Sequence, residues 1–146
     1  MQINIEIQED LADTIVTIAC QKRDPFIDRL IAALRMTDRQ MIVTFDGADT
    51  VLDVSEILYI ETVDKKCFIY TEKKVCETLR RLCELEQELA QYLFVRISRS
   101  CIANLKNIAS VRTYFNRRLL ITLKNGEQLI ASRQYAETIK ILLGVK

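Results

Sequence analysis

Three short runs in the chain combine side chains suited to recognising anions and flat polar edges. They are Lys65-Lys66-Cys67, Arg96-Ile97-Ser98-Arg99-Ser100 and Ser132-Arg133-Gln134. A guanidinium is a planar fork that bonds two acceptors at once, which suits a phosphate or a guanine edge. A carboxamide matches an adenine edge in the same two-point way. Lysine ammonium groups and serine hydroxyls bond phosphate oxygens. Cys67 is the poorest candidate, because a thiol is only a weak donor. Each run also has a plainer reading; for one of Arg133 and Gln134 it is an ordinary solvated surface position. Lys65 and Lys66 between two strand patterns are what an ordinary solvated turn carries. Arg96 and Arg99 fall on opposite faces of a strand unless the chain turns between them. The triplet Ser98-Arg99-Ser100 reads as that turn, with Arg99 the better placed for base contact and Arg96 open to a structural role. Asn104 is expected to order the neighbouring turn rather than to touch a ligand. Arg117-Arg118 reads as a charged bend in a hairpin or as a further phosphate contact.

Other chemistry lacks its parts. The 146 residues include no His, so no Ser-His-Asp or Cys-His relay can be assembled. Three widely spaced glycines cannot build a phosphate-cradling loop. The five cysteines, at 20, 67, 76, 83 and 101, include no CxxC pair, and read as reduced thiols used as small apolar side chains. No catalysis, cofactor or metal is therefore expected. The longest uncharged stretch is eight residues, between Asp13 and Lys22. A membrane-spanning helix needs about 20. The start of the chain is acidic and lacks the basic region of a signal peptide. These features lead to the expectation of a cytoplasmic protein.

The formal charge of +1 conceals a division. Residues 1–91 hold 11 Lys and Arg against 18 Asp and Glu, a net of −7; residues 92–146 hold 10 against 2, a net of +8. A basic half is the footprint of a polyanion-binding face. Mutual neutralisation of the two halves across the fold accounts for the charge equally well.

The elements that must position the three runs are mostly strands. Ile3, Ile5 and Ile7 alternate with polar residues, and residues 14–20 are rich in β-branched side chains, so two short strands are expected. Asp24-Pro25 reads as an N-cap with proline in the first turn, and Ile27, Leu30, Ile31 and Leu34 place one apolar stripe on the helix that follows. Residues 37–40 form a polar break. Beyond it, strands are expected at 41–45, 51–52, 57–61 and 67–71, a helix over 78–92, and strands at 94–97, 101–104, 110–114, 119–124 and 127–131. Leu79, Leu82, Leu85 and Leu89 give that helix its stripe, with Cys76 and Cys83 on the same face. Asp46-Gly47 and Asn125-Gly126 are hairpin turn signals, the latter matching a type I′ turn. Ser132 caps a last helix that Gly144 ends.

In this order the chain carries Ile57-Leu-Tyr-Ile-Glu61, Asp64-Lys-Lys-Cys-Phe-Ile-Tyr70, Leu82-Cys-Glu-Leu-Glu86 and Phe94-Val-Arg-Ile-Ser-Arg-Ser100. Asn104, Ile108, Asn125-Gly-Glu127 and Ser132-Arg-Gln-Tyr135 follow. The ordered set resembles the LytTR family of bacterial DNA-binding domains, from about residue 42 to 144. The resemblance implies a mainly β fold with α: an elongated antiparallel β architecture with a mid-chain helix and a C-terminal helix. Here it spans residues 41–146, after a small strand-strand-helix unit at 1–40 that is a dimerisation or regulatory candidate, its helix either facing a second copy or packing on its own strands. In that family, loops enter successive major grooves at paired promoter repeats, and the DNA bends. The corresponding positions are residues 62–67, 96–100 and 132–134. The DNA-binding set is thus Lys65, Lys66, Cys67, Arg96, Ser98, Arg99, Ser100, Ser132, Arg133 and Gln134. About forty preceding residues are too few for a receiver domain, so the chain resembles the stand-alone members rather than full response regulators. Some stand-alone members are held inactive by a membrane-protein partner. The implied function is transcription regulation through double-stranded DNA. The alternative is a protein-interaction or ligand-sensing module that does not bind DNA. RNA is not an expected partner, since neither an RNP-type strand nor a GxxG loop is present.

Overall fold

The computed structural model describes residues 1–37 and 39–145; Asp38, within the polar break, and the terminal Lys146 lie outside them. Helix α1 (Pro25–Met36) leads into strands β1 (Gln40–Phe45), β2 (Ala48–Asp53), β3 (Tyr59–Val63), β4 (Lys66–Tyr70) and β5 (Val75–Thr78). Helix α2 (Leu82–Leu89) follows, then β6 (Phe94–Ser98), β7 (Cys101–Asn104), β8 (Ile108–Thr113), β9 (Leu119–Leu123), β10 (Gln128–Ala131) and helix α3 (Arg133–Leu143). Seven strands form one antiparallel sheet in the order β2-β1-β5-β4-β3-β7-β6, and three form a second in the order β10-β9-β8.

Local chemistry accounts for the boundaries. The Asp24 carboxylate accepts from the Ile27 N–H at 3.0 Å and starts α1. At its far end α3 closes with Gly144 in the left-handed region, φ 76°, while Val145 N–H reaches back to the Lys140 carbonyl at 2.9 Å. That paired closure satisfies carbonyls the helix leaves open. Asp46 and Gly47 both have positive φ, as do Asp64 and Lys65. Both pairs are therefore tight hairpin turns of the hand that matches strand twist.

The strand period divides the core in two. Ile60, Ile69 and Ile102 point to one face of the large sheet, where Leu82, Leu85 and Leu89 of α2 cover them. Tyr59, Cys101 and Ala103 point to the other, against Ile121 and Leu123 of the small sheet and Ile139 of α3. The central strands β3 and β7 are thus covered on both faces, and all four residues of β7 are buried. One polar clasp joins the sheets: the Tyr59 hydroxyl donates to Glu127 at 2.9 Å, and the other Glu127 oxygen accepts from Asn125 at 2.9 Å. Tyr59 also stacks on Tyr70, with ring centroids 4.4 Å apart. Burial, reinforced by the bond to Glu127, holds the Tyr59 hydroxyl protonated well above the ordinary tyrosine range.

Several expectations change. Residues 1–24 form no strand. Ile3, Ile5 and Ile7 alternate as a strand would, yet stay exposed, because no neighbouring edge accepts their backbone groups. Of the anticipated strand-strand-helix unit only α1 forms; Ala32 and Met36 are buried, Met36 within the α2-side core. The helix expected over 78–92 is divided. Residues 75–78 pair with β4 as a strand, α2 spans one short run, and Ala90–Tyr92 close it as a 3-10 turn. Leu79 falls between strand and helix and is 83% exposed. The Asn125-Gly126 hairpin forms, but only Gly126 has positive φ. Gly126 N–H bonds the Leu123 carbonyl at 2.9 Å, and Leu123 N–H bonds the Glu127 carbonyl at 2.8 Å. That is a type I turn closed by a glycine bulge rather than type I′.

The cysteines also divide. Cys67, Cys76 and Cys101 are buried, whereas Cys20 and Cys83 are exposed. Cys83 therefore leaves the core set, since it lies on the solvent side of α2. Burial raises the thiol pKa of Cys67 and Cys76 and pushes that of Cys101 up to about 12. A disulfide exchange reagent near neutral pH should titrate two thiols in the native protein and all five in denaturant. Fast reaction of a third native thiol would contradict this packing. The buried thiols ionise at higher pH folded than unfolded, so their stabilising contribution is complete below about 8.5 and declines as pH rises toward the folded values.

Candidate nucleic-acid interface

The three runs are far apart in sequence and meet at one end of the fold. Thr62 N–H, in β3, donates to the Ser100 carbonyl at 2.8 Å. Ser132 N–H, at the start of α3, donates to the Ile97 carbonyl in β6 at 2.8 Å. Two backbone hydrogen bonds therefore place the β3–β4 hairpin, the β6–β7 turn and the first turn of α3 side by side.

The β3–β4 tip is set by register. Val63 pairs with Lys66, leaving Asp64 and Lys65 as the two turn residues, and Lys65 is exposed. Lys66, half-buried, lies 3.3 Å from Glu77, so part of its charge is already met. Thr62 closes the hairpin, its hydroxyl donating to the Lys66 carbonyl at 3.3 Å. Cys67 leaves the contact set. Its side chain points into the α2-side core and is 1% exposed, because position 67 has the opposite parity to the outward-facing Lys66.

The β6–β7 turn resolves the question of Arg96 and Arg99. A bulge between Arg96 and Ser98 turns the strand, and Arg99 and Ser100 form the exposed tip. Arg96 lies beneath that tip, its side chain 15% exposed, bonding Glu86 of α2 through two nitrogens at 2.8 and 3.1 Å. Its third contact, 2.7 Å to the Arg99 carbonyl, holds the turn in place. Arg96 is thus a positioning residue, and Arg99 is the one that projects. Ser100 N–H bonds the Ser98 hydroxyl at 3.3 Å, so one serine of the tip shapes the backbone. Behind the turn, the fully buried Asn104 donates to the Ile57 carbonyl at 2.9 Å and accepts from Lys106 N–H at 3.1 Å. The side chain of Asn104 thus orders the approach to β3 and the bend after β7, rather than the expected turn at 98–100.

At the start of α3, Ser132 occupies the N-cap position without a side-chain capping bond, and Arg133 and Gln134 are exposed. Open N–H groups and the helix dipole favour an anion there. Among the described residues, no carboxylate lies within ion-pair distance of Lys65, Arg99 or Arg133. Three unpaired, exposed cations therefore stand on segments that backbone hydrogen bonds join. The β3–β4 pair lies inside the seven-stranded sheet, and only its tip, residues 63–66, extends past the pairing with β7 and β5. The small sheet adds a segment that the sequence marked only at Arg117-Arg118: the β8–β9 turn, whose Asn116 and Arg118 share a shallow concavity with Arg133.

Known proteins resemble this chain in sequence and in fold. Residues 47–144 match the model of the LytTr DNA-binding domain. The chain is 28% identical to the sensory transduction protein LytT of Bacillus cereus, over 99% of its own length and 51% of that protein. It spans about half the length of that relative and 43% of a Bacillus anthracis counterpart. It also aligns over 99% of both chains, at 25% identity, with an uncharacterized HTH-type transcriptional regulator of Staphylococcus aureus. A solved LytTr DNA-binding domain of a methyl-accepting/DNA response regulator from Bacillus cereus superposes with a TM-score of 0.67. That match is 27% identical and covers 72% of this chain and 96% of the other. Among the described residues, strands separate each of the three α-helices from the next, so they form no helix-turn-helix. By its sequence match and by its fold, the chain belongs to the LytTr DNA-binding domain family.

Proposed function

We propose that the protein is a cytoplasmic transcription regulator that binds double-stranded DNA at paired promoter repeats, with the β3–β4 tip, the β6–β7 turn and the start of α3 entering the major groove. The observation that carries this reading is the joining of three cationic segments by backbone hydrogen bonds, with Lys65, Arg99 and Arg133 free of carboxylate partners among the described residues. Lys65, Ser100 and Ser132 serve phosphates, Arg99 and Arg133 read guanine edges, and Gln134 reads adenine. Lys66 contributes charge shared with Glu77. Arg96 and Ser98 hold the turn. The relatives' names, a sensory transduction protein and a transcriptional regulator, support the same reading. Residues 1–40, with an exposed acidic arm and α1, are the part available for regulation or for a second copy.

The test is amide chemical-shift mapping of the protein during titration with duplex DNA. The largest shifts are expected at residues 65–66, 99–100 and 132–134, with β1 and β2 unchanged. Shifts confined to residues 1–36, or none at low salt, would overturn the assignment.

A further inference from the structure

The β8–β9 turn is a sequence-unusual feature that the three contact segments do not use. It spends two strained residues: Asn116 and Arg117 both lie in the left-handed region, at φ 58° and 62°. Non-glycine residues adopt that region at a cost. The result is an outward display. Phe115 is 72% exposed, Arg117 is exposed, and Arg118 is partly buried beside them. Arg118 is fixed at its base: its Nε donates to the Phe115 carbonyl at 3.1 Å, and the guanidinium stacks over Tyr114 at 5.1 Å. The other guanidinium nitrogens remain for a ligand. Neither Arg117 nor Arg118 has a carboxylate within ion-pair distance among the described residues. The turn adjoins the α3 start through the concavity shared by Asn116, Arg118 and Arg133.

We infer that this turn is a fourth DNA-contacting segment. Arg117 and Arg118 clamp backbone phosphates flanking the bases that Arg133 reads, and Phe115 lies against the adjacent sugar. The contact supplies affinity and register, with no base selectivity of its own. The inference rests on the DNA-binding reading above and extends its surface past α3 onto the second sheet. A phosphate contact has a distinct signature, because each neutralised phosphate adds about 0.9 to the slope of log affinity against log salt.

The experiment is fluorescence anisotropy with a labelled random-sequence duplex over a series of salt concentrations. Relative to the parent chain, Arg117→Ala should lower the salt slope by about 1 and Arg117→Ala/Arg118→Ala by about 2. Arg117→Lys/Arg118→Lys should retain the slope, since the charge stays. An unchanged slope in the alanine variants, with the parent binding normally, overturns this inference alone. A slope lost equally in the lysine variants also overturns it, since the arginines then act on the shape of the turn. A parent chain that shows no salt-dependent binding overturns the DNA-binding reading itself, and the fourth contact with it.

Discussion

Arg99→Ala should weaken binding to the preferred duplex by about 1–3 kcal/mol while changing binding to random duplex little. At 1.4 kcal/mol per tenfold, that is a loss of about five- to 150-fold. The asymmetry follows from the structure. Arg99 stands at the tip of the β6–β7 turn, and the turn is held from below by Arg96, whose guanidinium spans Glu86 and the Arg99 carbonyl. Removing the Arg99 side chain removes a reader and leaves its support, so the protein should still fold and still bind phosphates. Competition anisotropy with the two duplexes checks this. Equal loss on both would assign Arg99 to phosphate rather than to bases.

Ile139→Ala should destabilise the domain by about 2–5 kcal/mol, the range for truncating a buried isoleucine. Ile139 is 0% exposed, in the core between α3, the small sheet and the outer face of β7. Its loss leaves a cavity under the helix whose first turn presents Arg133 and Gln134. Ile141, two positions on, is 66% exposed, and Ile141→Ala should cost within about 0.5 kcal/mol. Urea denaturation of the two variants isolates burial from helix propensity, since the residue type and helix are shared. Similar losses at both positions would contradict the docking of α3 described here.

Much of the fold was legible because its signals are local. Asp24-Pro25 and Gly144 mark helix ends by backbone chemistry that acts within a few residues, and Asp46-Gly47 sets its own turn. The strands of the double-covered centre read from short apolar stretches, Ile57–Ile60 and Cys101–Ala103. What failed depended on partners. Ile3, Ile5 and Ile7 have the period of a strand, but period alone supplies no neighbouring edge. Leu79 and Leu82 are three apart, which imitates a helix, although Val75-Cys-Glu-Thr78 already belongs to β5 and Leu79 faces solvent. The Asn125-Gly126 pair suits type I′, yet the four-residue connection between β9 and β10 is closed with a bulge at the glycine.

The candidate site was legible in its residue types more than in where each side chain points. Arg99, Arg133 and Gln134 project from the turns where spacing placed them. Arg96 and Cys67 do not, for reasons of pairing and parity. Arg96 meets Glu86 across ten residues and a change of element, which no local pattern reveals. Cys67 alternates with Lys66 on β4, so one of the two had to point inward. Asn116 carries no motif, and its place beside Arg133 comes from the packing of α3 on the small sheet.

The most direct test of the central claim is affinity selection of the intact protein from a random duplex library, read by sequencing. The account predicts enrichment of a defined motif, with binding that falls by orders of magnitude between about 50 and 200 mM salt, and with preference at one position relaxed by Arg99→Ala. Retention of DNA with no enriched motif, or no retention at low salt, would contradict it.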